Sequence, residues 1–334
     1  MTKIIMNFNP ESLKKLYIPP PASHKGQNGK LMVIGGSHLF HAASLWALTV
    51  ASRIVDMVFY SSVVENNQIV HELKKEFRGG IVVPREQIED YIAEADTVLI
   101  GPGMLRTDSE GIRPSASSCP EFIGGNQESG IMDLKEINKL EDEGVQSYFL
   151  TKYLLAKYPQ KKWVIDAGAL QMLEPEWLLP LHGNVILTPH PKELGMLIKK
   201  GDRKQTTRNL RQETSNTQQV TDVDEDLSLI TYHLSQTYNC IVLLKGQEDI
   251  VCSPEQCVTV SGGNAGMTKG GTGDVLAGLV AAIACNNDLF LAATAGSFIN
   301  KKAGERLFEK MSYYFNASDL AGEIPKIMKE YIPV

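Results

Sequence analysis

SGGNAGMTKGGTGDVLAGLVAAIA, residues 261 to 284, is the stretch from which the fold of this chain is read. Six glycines, Gly262, Gly263, Gly266, Gly270, Gly271 and Gly273, fall within twelve positions, and the residues after Asp274 are small and apolar, as in a buried helix. A glycine loop that runs straight into a helix amino terminus leaves free backbone N–H groups pointing outward, and its small residues let a phosphate approach the main chain. Thr272 stands where its hydroxyl can add a further donor. The alternative, a tight turn with Asp274 as helix cap, needs one polar residue and does not need the glycines.

Outward from that loop the chain repeats one pattern. LMVI at 31–34 ends in Gly35, Gly36 and Ser37 and is followed by a helix-length apolar stretch from His41 to Val58. VFYSSV at 58–63, ADTVLIGPG at 95–103, KWVIDAGAL at 162–170, NVILTPHPKEL at 184–194 and CIVLLKG at 240–246 read as further strands. Short, non-alternating apolar runs separated by helix-length segments predict a three-layer α/β/α sandwich with a mostly parallel central sheet. The expected organisation is a single domain over 1–334, with an amino-terminal extension at 1–23. Polar insertions are expected at 106–145, with a short helix, and at 201–222.

Composition narrows the function. The chain has 334 residues, 43% hydrophobic and 22% charged, with 33 Lys and Arg against 39 Asp and Glu for a net charge of -6. Without a long basic block, nucleic acid is not an expected partner. Val275 to Cys285 is too short to cross ~30 Å of hydrocarbon, so no membrane partner is expected either. No apolar export core opens the sequence, which gives a cytoplasmic expectation. The five cysteines include Cys252 and Cys257, but no second pair completes a zinc box, and no protein-bound metal is expected.

Asp274 has a second role open to it. A carboxylate beside a bound phosphate chain can accept the proton of a hydroxyl attacking that phosphate. The spacing of a nucleoside triphosphatase P-loop is absent, and Lys269 either contacts phosphate or faces solvent. Gly35, Gly36 and Ser37 lack the GxGxxG spacing of a dinucleotide fingerprint, but small residues at Gly35, Gly101, Gly103 and Gly168 mark a crevice along the strand ends. His190 is held between Pro189 and Pro191 in a stiff, extended segment. Glu193 complements a helix dipole, and Asp166 serves either ligand or loop amides. Lys245 and Gly246 end a strand and turn through Gln247, Glu248 and Asp249; the lysine is the expected partner of a nucleotide phosphate.

HKGQNGKLMVIGGS at 24–37, LIGPGM at 99–104, VIDAGAL at 164–170, LTPHPKEL at 187–194, VLLKG at 242–246 and GNAGMTKGGTGDVLAG at 263–278 together resemble the ADP- or ATP-dependent NAD(P)H-hydrate dehydratases of the ribokinase-like superfamily. The resemblance runs from about residue 24 to about residue 310. It implies a lyase that returns (6S)-NADHX and (6S)-NADPHX to NADH and NADPH. ADP is the expected phosphoryl donor, with ATP the other candidate, and AMP and phosphate are the products. Asp274 would be the base near the substrate hydroxyl, with the amides of Gly271, Thr272 and Gly273 around the transferring phosphate. Ala43, Gly103 and His190 match substrate positions with Asp274; Lys245, Gly246, Gln247, Glu248, Asp249 and Gly273 match the adenine nucleotide site. Mg2+ would accompany the nucleotide, held by phosphates and water.

The resemblance also implies a homo-oligomer, often a tetramer, and a separate NAD(P)HX epimerase as partner. The chain departs from the family at His41, Ala42 and Ala43, where a glycine and alanine pair is usual. A small-molecule hydroxyl kinase of the same superfamily is the main alternative, opposed by the Lys25, Gly26 and His190 blocks. A regulatory protein without turnover is opposed by the intact Asp274.

Overall fold

The computed structural model describes residues 6–107, 132–201 and 223–332. Its strands are β1 (Met6–Asn7), β2 (Lys30–Ile34), β3 (Met57–Ser61), β4 (Ile81–Val82), β5 (Thr97–Ile100), β6 (Lys162–Ile165), β7 (Val185–Leu187), β8 (Ile241–Leu244), β9 (Asp249–Cys252) and β10 (Cys257–Val260). They form one sheet in the order β1-β10-β9-β8-β7-β6-β5-β2-β3-β4. From β8 to β4 every pair is parallel, whereas β8, β9 and β10 form an antiparallel meander. The short links either side of β9 leave no room for a parallel crossover, which takes about a dozen residues.

The described helices are α1 (His41–Ala51), α2 (Val64–Leu73), α3 (Ile88–Glu94), α4 (Leu134–Ile137), α5 (Glu143–Lys157), α6 (Ala167–Met172), α7 (Pro191–Gly201), α8 (Val223–Tyr238), α9 (Thr272–Ala284), α10 (Leu289–Met311) and α11 (Ala317–Tyr331). Side chains alternate across each strand. Leu31, Val33, Val58, Tyr60, Leu99 and Val164 enter a core shared with α1, α9, α10 and α11. Met32, Ile34, Phe59, Val98, Ile100 and Trp163 enter a second core with α3, α5, α6, α7 and α8. Burial on both faces is why the strands read as continuous apolar runs, and the expected three-layer sandwich is the observed one.

The extension at 1–23 is more than a decoration. Met6 and Asn7 pair in parallel with Val258 and Thr259, and Leu13 and Leu16 are buried in the first core. Of the expected insertions, 108–131 and 202–222 lie outside the described residues; α4 and the start of α5 fall in the described part of the first. Cys252 and Cys257, cross-strand neighbours in the β9–β10 hairpin, are joined by a disulfide, a pairing not anticipated from their spacing. Among the described residues no helix is long and apolar enough to cross a membrane.

One helix contact positions the rest of the site. A Cβ on Gly278 in α9 would lie 2.6 Å from Ala47 Cα and 2.7 Å from Ala47 O in α1, so the two helices meet backbone to backbone. Gly278→Ala forces that contact apart and is expected to cost about 1–3 kcal/mol, read as a lower urea midpoint at unchanged slope.

Candidate functional site

A cleft of about 460 Å³ opens beside the amino terminus of α9. One wall is the turn after β8, with Lys245, Gly246, Gln247 and Asp249; the other is the loop from Gly262 to Thr268, and Thr272, Gly273, Leu276, Asn300 and Lys301 complete the lining. The loop enters α9 through Gly271, whose φ of 94° belongs to the left-handed region. A Cβ there would also lie 2.2 Å from the indole of Trp46 on α1. Glycine is thus required twice over at this position, by backbone conformation and by the ring against it. Trp46 is in turn fixed by its Nε1–H, which donates to Ser318 Oγ at 3.0 Å.

The strand ends bring a charged cluster to the same helix terminus. Asp166, just after β6, is buried, and its Oδ1 accepts from Thr188 Oγ1 at 2.7 Å and from Lys245 Nζ at 2.8 Å. Burial works against the Lys245 ammonium, but the charges of Asp166 and Glu193 outweigh it and hold its pKa above that of an ordinary lysine. Asp274, in the first turn of α9, is pushed up to about 7, by burial first and then by the negative charge of Asp166, against the pull of Lys245. A carboxyl that titrates near neutrality at a helix amino terminus beside a cleft is suited to exchange a proton with a bound hydroxyl.

The remaining expected residues fall into two groups. Gly103, with φ of 72°, packs on the α1 entrance: a Cβ on it would lie 2.7 Å from Phe40 O and 3.0 Å from Ala43 Cβ. Gly103 and Ala43 are therefore neighbours across the crevice, although they are far apart in sequence. His190 leads into α7. Its Nδ1 accepts from the N–H groups of Lys192 (3.1 Å) and Glu193 (3.3 Å), which puts the ring proton on Nε2, and its own N–H donates to Glu193 Oε2 at 2.9 Å. Glu193 also accepts from Gln171 Nε2 at 2.8 Å, so it is locked in place.

Other expectations need correction. Thr272 donates its hydroxyl to carbonyls of its own loop, those of Met267 (2.5 Å) and Lys269 (2.9 Å), and its backbone N–H also donates to Lys269 O at 3.3 Å. Both of its donors are thus engaged within the loop. Lys269 is exposed, as its solvent-facing alternative has it, and its Nζ donates to Phe315 O at 2.7 Å and to Tyr313 O, tying the loop to the link before α11. Asp249 lines the cleft, but its carboxylate accepts from Gly246 N (2.9 Å) and Ser297 Oγ (2.7 Å) and pairs with Lys301 (3.2 Å). Its role is to shape the turn. Glu248 is not among the lining residues; it accepts from Ser261 Oγ.

Lys301 and Asn300 were not anticipated. Lys301 Nζ donates to Gly246 O (3.1 Å) and Gln247 O (2.9 Å) and approaches Gly262 O (3.4 Å), bracing one cleft wall against the other. Asn300 Oδ1 is buried at the cleft without a hydrogen-bond partner. Both lie in the long helix α10, where nothing local distinguishes them; only the burial of two adjacent polar residues, Asn300 and Lys301, could have pointed to them.

A mostly parallel sheet flanked by helices, with a glycine loop feeding a helix terminus at its strand ends, defines a ribokinase-like protein. A ribokinase-like superfamily protein from Enterococcus faecalis V583 is similar at a TM-score of 0.72 and 20% identity, covering 99% of this chain and 97% of that one. The NAD(P)H-hydrate dehydratase family model matches residues 31–326, and the chain belongs to that family. It is 30% identical to the bifunctional NAD(P)H-hydrate repair enzyme of Methanocaldococcus jannaschii over 95% of this chain, but spans only 51% of that protein. It is 29% identical to the ADP-dependent (S)-NAD(P)H-hydrate dehydratase of Nitrosopumilus maritimus, covering 96% of each. The ADP/ATP-dependent NAD(P)H-hydrate dehydratase of Bacillus subtilis, co-crystallized with ATP/Mg2+, has a TM-score of 0.67 at 17% identity, with 98% and 99% of the two chains covered.

The ionisation of Asp274 has a sign that can be measured. Its folded value of about 7 lies above the ordinary aspartate value of 3.8, so the folded state holds the proton more tightly and stability falls as pH rises through that window. Asp274→Asn removes this penalty. The variant is expected to be more stable than wild type by roughly 1–3 kcal/mol at about pH 8, with the difference vanishing near about pH 4, in urea unfolding at the two pH values.

Proposed function

We propose that the chain catalyses nucleotide-dependent dehydration of (6S)-NADHX and (6S)-NADPHX, with ADP as phosphoryl donor and ATP the other candidate. The observation that carries this is Asp274 itself, a carboxyl pushed up to about 7 in the first turn of α9, next in sequence to Gly273 of the cleft lining and within the charge of Asp166 and Lys245 at the strand ends. The nucleotide would lie in the cleft with its phosphates toward Gly273 and Lys245. The hydrated cofactor would lie toward Gly103, Ala43 and His190, its hydroxyl at Asp274.

The reaction then balances in two steps. The hydroxyl oxygen bonds to the terminal phosphorus of ADP, its proton passes to Asp274, and the bond from that phosphorus to the bridging oxygen breaks to release AMP. The carbon–oxygen bond of the new phosphoester then breaks to release phosphate, the neighbouring ring carbon passes its proton to the departing phosphate, and the electron pair left behind restores the ring double bond. The amides of Gly271 and Gly273 would stabilise charge on the transferring group, joined by that of Thr272 only if it leaves Lys269 O. His190, whose Nε2 lies 3.6 Å from Glu193 Oε2, would orient the substrate.

Among the described residues no three His, Cys, Asp or Glu side chains converge as metal ligands. That donor set fits a magnesium ion carried on the nucleotide phosphates and water better than one caged by protein. When bound, the ion would neutralise phosphate charge. The N. maritimus and B. subtilis names support an adenine nucleotide as co-substrate, and the bifunctional relatives support an epimerase as partner. A cytoplasmic homo-oligomer, a tetramer in the fullest form of this reading, completes the proposal. In that compartment the buried Cys252 and Cys257 would escape reduction only through their burial.

The test is growth of the near-ultraviolet absorbance of reduced nicotinamide when hydrated NADH, magnesium and either ADP or ATP are added. Growth with one donor identifies it; no growth with either, from folded protein and verified substrate, sinks the dehydratase reading. Asp274→Asn is expected to leave nucleotide affinity near that of wild type and to lower turnover by about 10²-fold or more.

A further inference from the structure

Asp166 occupies the position that opens α6, yet its side chain makes no capping bond to that helix. It turns instead to the neighbouring strand ends, where Thr188 and Lys245 both donate to its Oδ1. Lys245 reaches it from the end of β8, and its Nζ lies 3.5 Å from the point a Cβ on Gly273 would occupy. The ammonium is thus held between Asp166 and the first turn of α9, which carries Asp274.

The other charged groups on the surrounding elements are held by different partners. Glu193 of α7 is bound by Gln171 and the His190 N–H, and adds a weaker negative influence on Asp274. Lys301 of α10 is bound to Asp249 and the turn carbonyls, and His41 of α1 faces Asn66. Asp166 and Lys245 are therefore the two nearby charges with opposite effects on Asp274.

We propose that Asp166 is a positioning residue for Asp274: its buried carboxylate, bonded to Lys245, keeps that ammonium at the α9 amino terminus and sets the balance of charge that Asp274 meets there. This rests on the reading of Asp274 as the base. A carboxylate of ordinary basicity accepts a hydroxyl proton poorly, and one whose charged form is disfavoured accepts it better, provided it is still ionised at the working pH. The proton taken from the substrate stays on Asp274; Asp166 and Lys245 keep their charges throughout.

Asp166→Asn preserves the shape and removes the charge. The acidic limb of its kcat–pH profile is expected to move to lower pH by about one pH unit, while kcat on the plateau falls about tenfold. Asp166→Glu keeps the charge, and its limb stays at the wild-type position even if kcat falls. A limb that does not move in Asp166→Asn, or that moves equally in both variants, overturns the proposal. To separate its failure from failure of the dehydratase reading, the Asp274 carboxyl is titrated by carbon-13 NMR in the full chain without substrate. A lower midpoint in Asp166→Asn upholds the charge effect whatever the substrate is, and an unchanged midpoint overturns it. If Asp166→Asn does not fold, the same titration is made in Lys245→Met: without the cation, Asp166 and Asp274 are expected to titrate as a coupled pair, one of them above neutrality. Two independent titrations in the ordinary carboxylate range overturn the proposal.

Discussion

The backbones of α1 and α9 touch at Gly278 and Ala47, and the separation of the α1 entrance from the α9 amino terminus follows from that contact. α1 begins just beyond the first glycine turn and carries Ala43 and Trp46; α9 begins at the second glycine loop and carries Asp274. With the two axes this close, the Trp46 ring lies against Gly271 and fixes the turn that aims the helix amino terminus. The α1 entrance with Gly103 and the cradle at Gly271 to Gly273 are thereby set at one spacing. A side chain at Gly278 would widen that spacing, and the wider gap would be felt on both sides of Asp274.

Charge is arranged around this frame at a cost in solvation. Two ammonium groups are buried or nearly so, Lys245 with Asp166 and Lys301 with Asp249, and a third carboxylate, Glu193, is buried nearby. Pairs of this kind seldom add net stability, because desolvation offsets much of the attraction. Their value here is geometric. The Lys301 pair joins helix α10, the turn after β8 and the loop at Gly262, so the cleft walls keep their separation whether or not a ligand is present. The Lys245 pair places a positive charge beside the amino terminus of α9, an arrangement that favours an anion there.

How much of this was legible depended on whether the cause was local. Apolar runs ending in glycine announced the parallel strands, and the glycine loop before an apolar helix announced the cradle, because each is a property of a dozen adjacent residues. Thr272 misled because a hydroxyl in a tight turn first satisfies that turn's own carbonyls; the partners of Lys269, the carbonyls of Tyr313 and Phe315, were hidden because only the fold brings that distant link beside the loop. Asp249 misled for a related reason: its partners Ser297 and Lys301 lie about fifty positions away on α10. Asp166 was visible as a candidate but its partner was not, since Lys245 and Thr188 come together with it only at the ends of neighbouring strands. The Cys252–Cys257 bond and the β1 edge strand depend on an antiparallel meander and a parallel pairing that no periodicity in those short segments records.

The glycine loop itself cannot decide what the protein acts on. It offers backbone N–H groups and one carboxylate, and any hydroxyl brought in line with a nucleotide phosphate would meet the same groups, in a kinase as in a dehydratase. Discrimination has to come from the opposite wall: the turn at Gly35 to Ser37, the α1 entrance with Ala43, Gly103, and the His190 ring whose proton is directed by the first turn of α7. That wall is also where this chain departs from its family at Ala42. A kinase must release its phosphoester, whereas a dehydratase must hold it until phosphate leaves. On the proposed reading, the difference would lie in how long Asp274 and the N–H cradle keep a phosphorylated intermediate against the Gly103 side. The tight register between α1 and α9 is the feature best suited to holding it there, since it gives the intermediate walls that cannot separate independently.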